Sequence, residues 1–202
     1  MEIKRLTEKD AKKFSDLIID MYGHLECLDW FSPMPFDLEN IKQMISHPRF
    51  YIIGVFDGDN LCAVSSFDYK CGKLIGKIDF PKECNTDKLV EIGFTMVHSK
   101  YRGNGLMKKM VAYLVEEAKK QGFEWIFGKV HVDNLASSKS FLNNGFYKCL
   151  RFMKPTKVED IKMLLNGKVL SEQAKVKITK RLEENIDAEN LDNEYEIIIK
   201  KI

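Results

Sequence analysis

The sequence lacks long apolar runs and an excess of charge of one sign. No stretch of its 202 residues approaches the ~20 consecutive apolar residues that a membrane-spanning helix needs. The opening residues MEIKRLTEKD contain no apolar segment typical of a secretion signal. The 32 lysines and arginines are nearly balanced by 30 aspartates and glutamates, so nothing favours general affinity for nucleic acid or membranes. We therefore expect a cytoplasmic protein with neither as a partner.

Cysteine is sparse and shows no pairing pattern. The five cysteines are an odd number, and no two have the C-x-x-C spacing; they are Cys27, Cys62, Cys71, Cys84 and Cys149. A disulfide framework or a zinc site is therefore not expected, and reduced thiols are the better interpretation. The sequence implies no metal.

The length favours a single domain over residues 1–202 with a substantial core. Strand-like runs alternate with helical periodicity through the middle of the chain, which indicates an α/β domain with a mixed sheet. Strands are predicted at 3–6, 50–56, 61–69, 89–97, 125–132, 146–152 and 194–202, and helices after Thr7 and Asp37 and at 105–121 and 134–144. A tight hairpin is predicted at 57–60.

The strand at 89–97 is expected to alternate simply between two faces. One face would carry Val90, Ile92, Phe94 and Met96, and the other Glu91, Gly93, Thr95 and Val97.

Residues 156–193 differ in character from the rest. They are rich in lysine and glutamate and carry apolar residues at loosely helical spacing. We expect two helices here, as a charged helical insertion before a terminal strand at 194–202. A lid, a surface for a homodimer and a solvated embellishment are all compatible with this composition.

The segment 102–107 is the most informative. It reads Arg-Gly-Asn-Gly-Leu-Met, follows an apolar strand and leads into an amphipathic helix. Glycines allow tight or left-handed backbone there, and the first amides of a helix converge where its dipole is positive. Such a turn is a site for a phosphate or pyrophosphate.

A second pattern follows at 134–146. Asn134 precedes a short helix, and Gly145 and Phe146 close it. Together with the strand carrying Glu91 and the turn, this order of elements resembles the GNAT superfamily of acyl-CoA N-acyltransferases. The family's turn reads Q/R-x-x-G-x-G/A, which is met by Arg102 and Gly105, whereas Met107 departs from it. Its later motif, N-x-x-A-x-x-x-Y-x-x-x-G-F, is met except for Ser137 and Phe141.

The resemblance implies a GNAT-like fold that binds acetyl-CoA or coenzyme A. In that family the strand before the turn separates from its neighbour, and its backbone pairs with pantetheine; by position these residues are Thr95, Met96 and Val97. Asn134 would bind the pantetheine arm. The main-chain amides that would hold the pyrophosphate are those of Arg102, Gly103, Asn104, Gly105, Leu106, Met107 and Lys108.

Glu91 lies where some family members carry a general base. A carboxylate acting directly or through water could deprotonate the incoming amine, and partial burial would raise its pKa usefully. A solvent-facing or salt-bridged strand residue is the equally weighted alternative.

Phe141 replaces a tyrosine whose hydroxyl protonates the leaving thiolate in many relatives. Phenylalanine cannot do so. Another donor or water would have to serve, and the nearby candidates are Ser137, Ser138, Ser140 and Tyr147. For each serine, a place on the helix surface or in its cap is favoured.

Other polar residues have weaker claims. His98 and His131 are more simply packing or surface residues, and Lys100, Lys108 and Lys139 are either solvated or near the cofactor's 3′-phosphate. The loop 30–34 is where relatives shape the acceptor pocket, although core packing by its aromatic residues is equally compatible. Acidic residues near it that could attract an ammonium group are Glu26, Asp29 and Asp37.

The resemblance implies an N-acetyltransferase that transfers acetyl from acetyl-CoA to a primary amine by direct attack in a ternary complex. A strand amide near Met96 or Val97 would polarise the thioester carbonyl. The acceptor is a small molecule or a peptide. Phe141 suggests the alternative of an acyl-CoA-binding sensor, whereas a P-loop protein is disfavoured because G-x-x-x-x-G-K-S/T is lacking.

Overall fold

One mixed sheet of seven strands forms the centre of the computed structural model, which describes residues 1–25, 30, 33–69, 78–167, 169–186 and 188–202. Its spatial order is β1-β2-β3-β4-β5-β7-β6. The strands are β1 (Glu2–Arg5), β2 (Phe50–Asp57), β3 (Asn60–Asp68), β4 (Leu89–Val97), β5 (Trp125–His131), β6 (Tyr147–Lys157) and β7 (Asn190–Lys201). Strands β4 and β5 are parallel, and the other neighbours are antiparallel.

Helices cover both faces of this sheet. They are α1 (Ala11–Gly23), α2 (Leu38–Ser46), α3 (Leu106–Lys120), α4 (Leu135–Leu142), α5 (Val158–Asn166) and α6 (Glu172–Glu184). Helices α3 and α4 pack on one side, here named the α3 face, and α1, α2, α5 and α6 share a core on the other, the α1 face. No helix in the described ranges has the length and apolar character needed to cross a bilayer. The predicted mixed α/β fold is confirmed.

Local sequence signals account for several element boundaries. Asp37 caps α2, since its carboxylate accepts a hydrogen bond from the amide of Asn40 at 3.0 Å. The hairpin between β2 and β3 turns at Gly58, whose φ of 56° lies in the left-handed region. The first strand and the two central helices lie within one or two residues of their predicted bounds.

Two helices lie between β6 and β7. They are not merely solvated, because the side chains of Ile161, Leu164 and Ile178 are buried in the core that α1 and α2 also form. Strand β6 continues to Lys157 and β7 begins at Asn190, so the flanking strands are longer than predicted. That this helical pair is an addition to a family fold stays a prediction.

The simple alternation expected for β4 is wrong. The pairing of β3 with β4 shifts between Ser65 and Phe67, so that two β4 residues, Gly93 and Phe94, oppose the single residue Ser66. Beyond this β-bulge, each residue of β4 points to the face opposite to the one that simple alternation predicts. Thr95 and Val97 therefore lie on the α3 face together with Val90 and Ile92, whereas Phe94 and Met96 join Glu91 on the α1 face.

Strands β4 and β5 pair only over their first halves. The register runs from Leu89 opposite Trp125 to Ile92 opposite Gly128, and ends there. Residues 93–97 and 129–131, all of them described, have no such pairing. We name this gap the strand opening. It begins at the bulge, which is a common place for ladder pairing to end.

Candidate active site

The turn between β4 and α3 is shaped by two glycines in left-handed backbone. Gly103 has a φ of 80° and Gly105 a φ of 68°, and Gly105 is the N-cap of α3. A Cβ built on either would meet nothing within 4 Å. The glycines are therefore explained by the backbone conformation, and the space in front of them is open to a ligand.

The start of α3 directs unused amides into this space. Among the described residues, the first α3 amide with a main-chain acceptor is that of Lys109, which donates to the Gly105 carbonyl at 3.1 Å. The amides of Leu106, Met107 and Lys108 precede it, as expected at a helix N-terminus. The Leu106 side chain is buried and Met107 packs at the edge of the same core, so their side chains leave the amides unobstructed. The turn thus fits a pyrophosphate.

The main-chain amide of Arg102 has a protein partner instead, and so do the side chains of Arg102 and Asn104. The Arg102 amide donates to the Ser99 carbonyl at 3.3 Å, and its guanidinium donates to the His24 carbonyl at 3.2 Å. The side-chain nitrogen Nδ2 of Asn104 donates to the carbonyls of Tyr101 and Arg102, at 3.2 and 3.3 Å. Both side chains hold the shape of the turn.

Helix α1 is fastened to the segment before this turn. The Asp20 carboxylate accepts hydrogen bonds from the amide and the hydroxyl of Ser99, each at 2.7 Å. The ring nitrogens of His24 and His98 lie 3.3 and 3.5 Å from the same carboxylate. The end of α1 and the base of the turn therefore form one hydrogen-bonded unit, which sequence spacing alone did not indicate.

Asn134 lies at the other end of α4 from the turn. Its Oδ1 caps α4 by accepting from the Ser137 amide at 3.1 Å. Asn144, beyond the C-terminus of α4, donates through Nδ2 to the Lys108 carbonyl at 3.1 Å. The eight residues of α4 separate these ends by about 12 Å. A ligand that touches both the turn and Asn134 must be elongated.

The main chain of β4 faces the strand opening at alternate residues. The His98 amide donates to the Cys62 carbonyl at 2.9 Å, toward β3. By alternation, Thr95 and Val97 direct their amides and carbonyls away from β3, and Met96 directs its own toward β3. The Val97 carbonyl accepts a hydrogen bond from Arg102 Nε at 3.4 Å. A chain of amides laid in the opening could pair with Thr95 and Val97 as an added strand.

Glu91 lies on the opposite side of the sheet, on the α1 face. It is 4% exposed, and its Oε1 lies 2.8 Å from Nζ of Lys129 on β5. Burial raises the pKa of the Glu91 carboxyl, while the cation of Lys129 opposes that rise. Of the two alternatives for Glu91, the salt bridge is present. Glu91 also lies next to Ile92, the last β4 residue paired with β5, and its role as a base stays a prediction.

Further charged residues surround Glu91. Asp68 lies opposite it on β3 and is held by the guanidinium of Arg49, whose Nε donates to Oδ1 at 2.7 Å. Lys154 of β6 lies over the ring of Tyr195 at 5.3 Å, and burial is the main cause lowering the pKa of its ammonium. Sequence reasoning missed Lys129 and Lys154. A lysine within the otherwise apolar run Trp125–His131 was the available signal.

Phe141 packs where the family tyrosine would be. It is 3% exposed, and its ring lies against Gly128, the last β5 residue paired with β4, and edge-on to Phe146 at 5.1 Å. A Cβ at Gly128 would come within 2.6 Å of the Phe141 Cζ atom. The ring therefore reaches the start of the strand opening without a hydroxyl.

The nearby hydroxyl groups differ in their exposure and in their contacts. The Ser140 hydroxyl donates to the Ala136 carbonyl at 2.9 Å, and the Ser137 amide serves the α4 cap. Ser138 is buried. Tyr147 on β6 is partly exposed, and the partial burial of its side chain is the main cause that raises its pKa. None of these contacts identifies a proton donor.

The two histidines have structural contacts. His131 is buried with its ring edge-on to Tyr195 at 5.4 Å, and its Nδ1 accepts from the Asp133 amide at 3.2 Å. His98 accepts from the Lys100 amide at 3.2 Å. Lys100, Lys108 and Lys139 have exposed side chains.

The predicted acceptor loop is only partly within the described residues. Trp30 is described, and its indole Nε1 is buried without a hydrogen-bond partner. Asp37 serves as the α2 cap, with Oδ2 accepting from Asn40 Nδ2 at 2.8 Å. Glu26 and Asp29 lie outside the described residues.

Comparison with known proteins defines the class. Residues 24–148 match the acetyltransferase (GNAT) family, and this range covers more than half of the chain. The chain belongs to the GNAT acetyltransferase family. No curated protein matches the sequence.

Solved structures share the fold at low identity. A ribosomal-protein-alanine N-acetyltransferase from Brucella melitensis superposes with a TM-score of 0.66 and 16% identity, with 100% of both chains covered. An N-acetyltransferase from Staphylococcus aureus gives a TM-score of 0.63 at 13% identity, covering 99% of this chain and 97% of its own. A Salmonella typhimurium protein described as an acetyltransferase was solved with acetyl-CoA. It gives a TM-score of 0.63 at 14% identity, with 100% of this chain and 93% of its own chain covered.

Proposed function

We propose that this protein is an N-acetyltransferase that transfers acetyl from acetyl-CoA to a primary amine by direct attack in a ternary complex. One observation carries the proposal. Near the strand opening, the main-chain amides at the start of α3 lie on the α3 face and the buried carboxylate of Glu91 lies on the α1 face. Family membership supports the transferase class, and a fold neighbour is described with acetyl-CoA.

The donor side would be held largely by main chain. The amides of 106–108, with Gly103 and Gly105, would bind the pyrophosphate of acetyl-CoA, which supplies the activated acetyl group as a thioester. Thr95 and Val97 would pair with the pantetheine amides across the strand opening. Asn134, about 12 Å away along α4, would bind the same arm through its Nδ2, which the cap does not use.

The acceptor side would use Glu91. An amine attacks only as the free base, and a lysine-like amine has an ordinary pKa near 10.4. A carboxylate of raised pKa beside the strand opening could take the proton, directly or through water. As the amine nitrogen bonds to the acetyl carbon, the C–S bond breaks and the thiolate takes up a proton from water. A strand amide at Val97 or Thr95 would polarise the carbonyl.

Phe141 favours one second candidate, an acyl-CoA-binding sensor. The buried ring offers no proton to a leaving thiolate, and the hydroxyl of the neighbouring Ser140 donates to the Ala136 carbonyl. A coenzyme A thiolate is nevertheless a fair leaving group. We therefore rank the sensor below the enzyme.

The test measures binding and turnover separately. Calorimetry should detect acetyl-CoA binding, and thiol release should follow addition of one member of an amine panel: a polyamine, an amino acid, an aminoglycoside, a peptide N-terminus and a lysine peptide. Mass spectrometry should show a gain of one acetyl group on that amine. Binding without thiol release on any acceptor would favour the sensor, and absence of binding would reject both.

A further inference from the structure

Lys129 occupies a special position in the sheet. It is the first β5 residue beyond Gly128, the last to pair with β4, so it lies at the edge of the strand opening. Its Nζ reaches back along the α1 face to Oε1 of Glu91 at 2.8 Å. The ion pair therefore joins the two strands across the point where they separate.

The pair is largely shielded from water. The Glu91 side chain is 6% exposed and that of Lys129 is 24% exposed. A carboxylate buried this far is expected to take up a proton unless a cation balances it. The contact with Lys129 supplies that cation at hydrogen-bonding distance.

Two other charged side chains act on Glu91 from the strands packed around it. Asp68 on β3 favours protonation of Glu91, and Lys154 on β6 opposes it. Asp68 itself is neutralised by Arg49, the residue preceding β2. Lys129 is the second largest influence after burial, and the largest that favours the anion.

We infer that Lys129 is a positioning residue: it keeps Glu91 ionised at the strand opening and fixes the direction of its carboxylate. Lys129 acts through Glu91 and needs no contact with either substrate. Its effect on the rate rests on the proposed function, whereas its effect on the ionisation of Glu91 does not.

The sign of the effect follows from the charges. Removing the cation leaves burial unopposed, so the folded-state pKa of Glu91 should rise further above its ordinary value. An opposite charge within about 4–6 Å typically changes a carboxyl pKa by about 1–3. The acid limb of kcat/KM should therefore move to higher pH by about 1–3 pH units in Lys129→Met. At a pH on that limb, kcat/KM should fall about tenfold or more.

The experiment reads Glu91 directly. Protein labelled with carboxyl-¹³C glutamate is titrated by NMR, and the Glu91 signal is identified by its loss in Glu91→Gln. The titration midpoint should move up in Lys129→Met and stay near that of the wild type in Lys129→Arg, which keeps the cation. Lys129→Gln gives the same comparison if the methionine variant does not fold.

Lys148→Met is the matched control. Lys148 pairs with Glu196 at 2.7 Å, and Glu196 is as buried as Glu91 but lies on the other face of the sheet. Its removal should leave the Glu91 midpoint unchanged. A midpoint that is also unchanged in Lys129→Met, or one that moves equally in Lys148→Met, overturns the inference.

The two proposals fail in different ways. A moved midpoint in a protein that acetylates no amine supports the Lys129–Glu91 pairing and rejects the enzyme. Normal acetylation with an unmoved midpoint rejects the role of Lys129 and leaves the enzyme standing.

Discussion

The two faces of the sheet at the strand opening are built by different means. On the α3 face, the polar groups near the opening are main-chain amides presented by left-handed glycines and a helix start. On the α1 face, they are charged side chains from four strands and their flanks: Arg49, Asp68, Glu91, Lys129 and Lys154. A main-chain site can be predicted from a short stretch of sequence, because glycines and helix N-termini are recognised from neighbouring residues. A side-chain cluster becomes visible only once the strands are in register.

Glu91→Gln is expected to have the largest effect and bears on the α1 face alone. General-base catalysis contributes about 10²–10⁴-fold, so kcat/KM should fall by about that factor while acetyl-CoA affinity stays near the wild-type value. Because the pKa of Glu91 is raised, the wild-type rate should climb with pH as the proton leaves, and this limb should vanish in the variant. Steady-state pH profiles and calorimetry check both statements.

Glu196→Gln is the control for this change. It removes an equally buried carboxylate that is held by Lys148 and Arg151 on the other face of the sheet. It should leave the pH profile intact. A profile that is normal in Glu91→Gln would remove Glu91 as the base.

Gly105→Val should disable the α3 face. A branched side chain at a φ of 68° strains the backbone by about 1–2 kcal/mol and blocks the approach to the α3 amides. Losing two hydrogen bonds to a charged group, at about 1.5–3 kcal/mol each, should weaken acetyl-CoA binding by about 100-fold or more.

Gly58→Val separates strain from binding. Gly58 has a φ of 56° in the β2–β3 hairpin and the same open surroundings, far along the chain from the turn. It should lower the melting temperature about as much as Gly105→Val does, with unchanged affinity for acetyl-CoA. Equal affinities for the two variants would reject the placement of the pyrophosphate.

Phe141→Tyr should have the smallest effect. It tests whether a proton donor at the start of the strand opening, between the two faces, increases the rate. The ring ends at Gly128, so the added hydroxyl would lie at the start of the strand opening and could donate to the thiolate. We expect kcat to rise by only about two- to tenfold, less than the 10²–10⁴-fold that positioned proton transfer typically contributes, because a coenzyme A thiolate is already a fair leaving group. Phe146→Tyr, in the same aromatic pair, is the control and should give no gain. An unchanged kcat in Phe141→Tyr would show that protonation of the leaving group does not limit the rate.

The elements predicted well from the sequence were those with strong local signals. The bounds of β4 follow from the apolar run at 89–97, and the start of α3 follows from Gly103 and Gly105. The cap at Asp37 follows from the position of one carboxylate before a helical pattern. The phosphate turn could be predicted for the same reason.

What was missed depended on contacts between distant residues. The face exchange in β4 arises because Gly93 opposes Ser66, whose hydroxyl occupies the space of a Cβ at Gly93. A glycine inside a strand is a signal for a bulge, which the expectation of simple alternation does not include. The contacts of Lys129 with Glu91 and of Ser99 with Asp20 span 38 and 79 positions, and no local pattern encodes them.

The early end of β4–β5 pairing has a thermodynamic consequence. Thr95 and Val97 have backbone groups that do not pair with β5, so the hydrogen-bond ladder in the middle of the sheet is incomplete. A molecule that completes this ladder binds only the folded state, and its binding energy adds to the resistance of the whole domain to heat. Folding stability and ligand occupancy are thereby linked through the same few peptide groups.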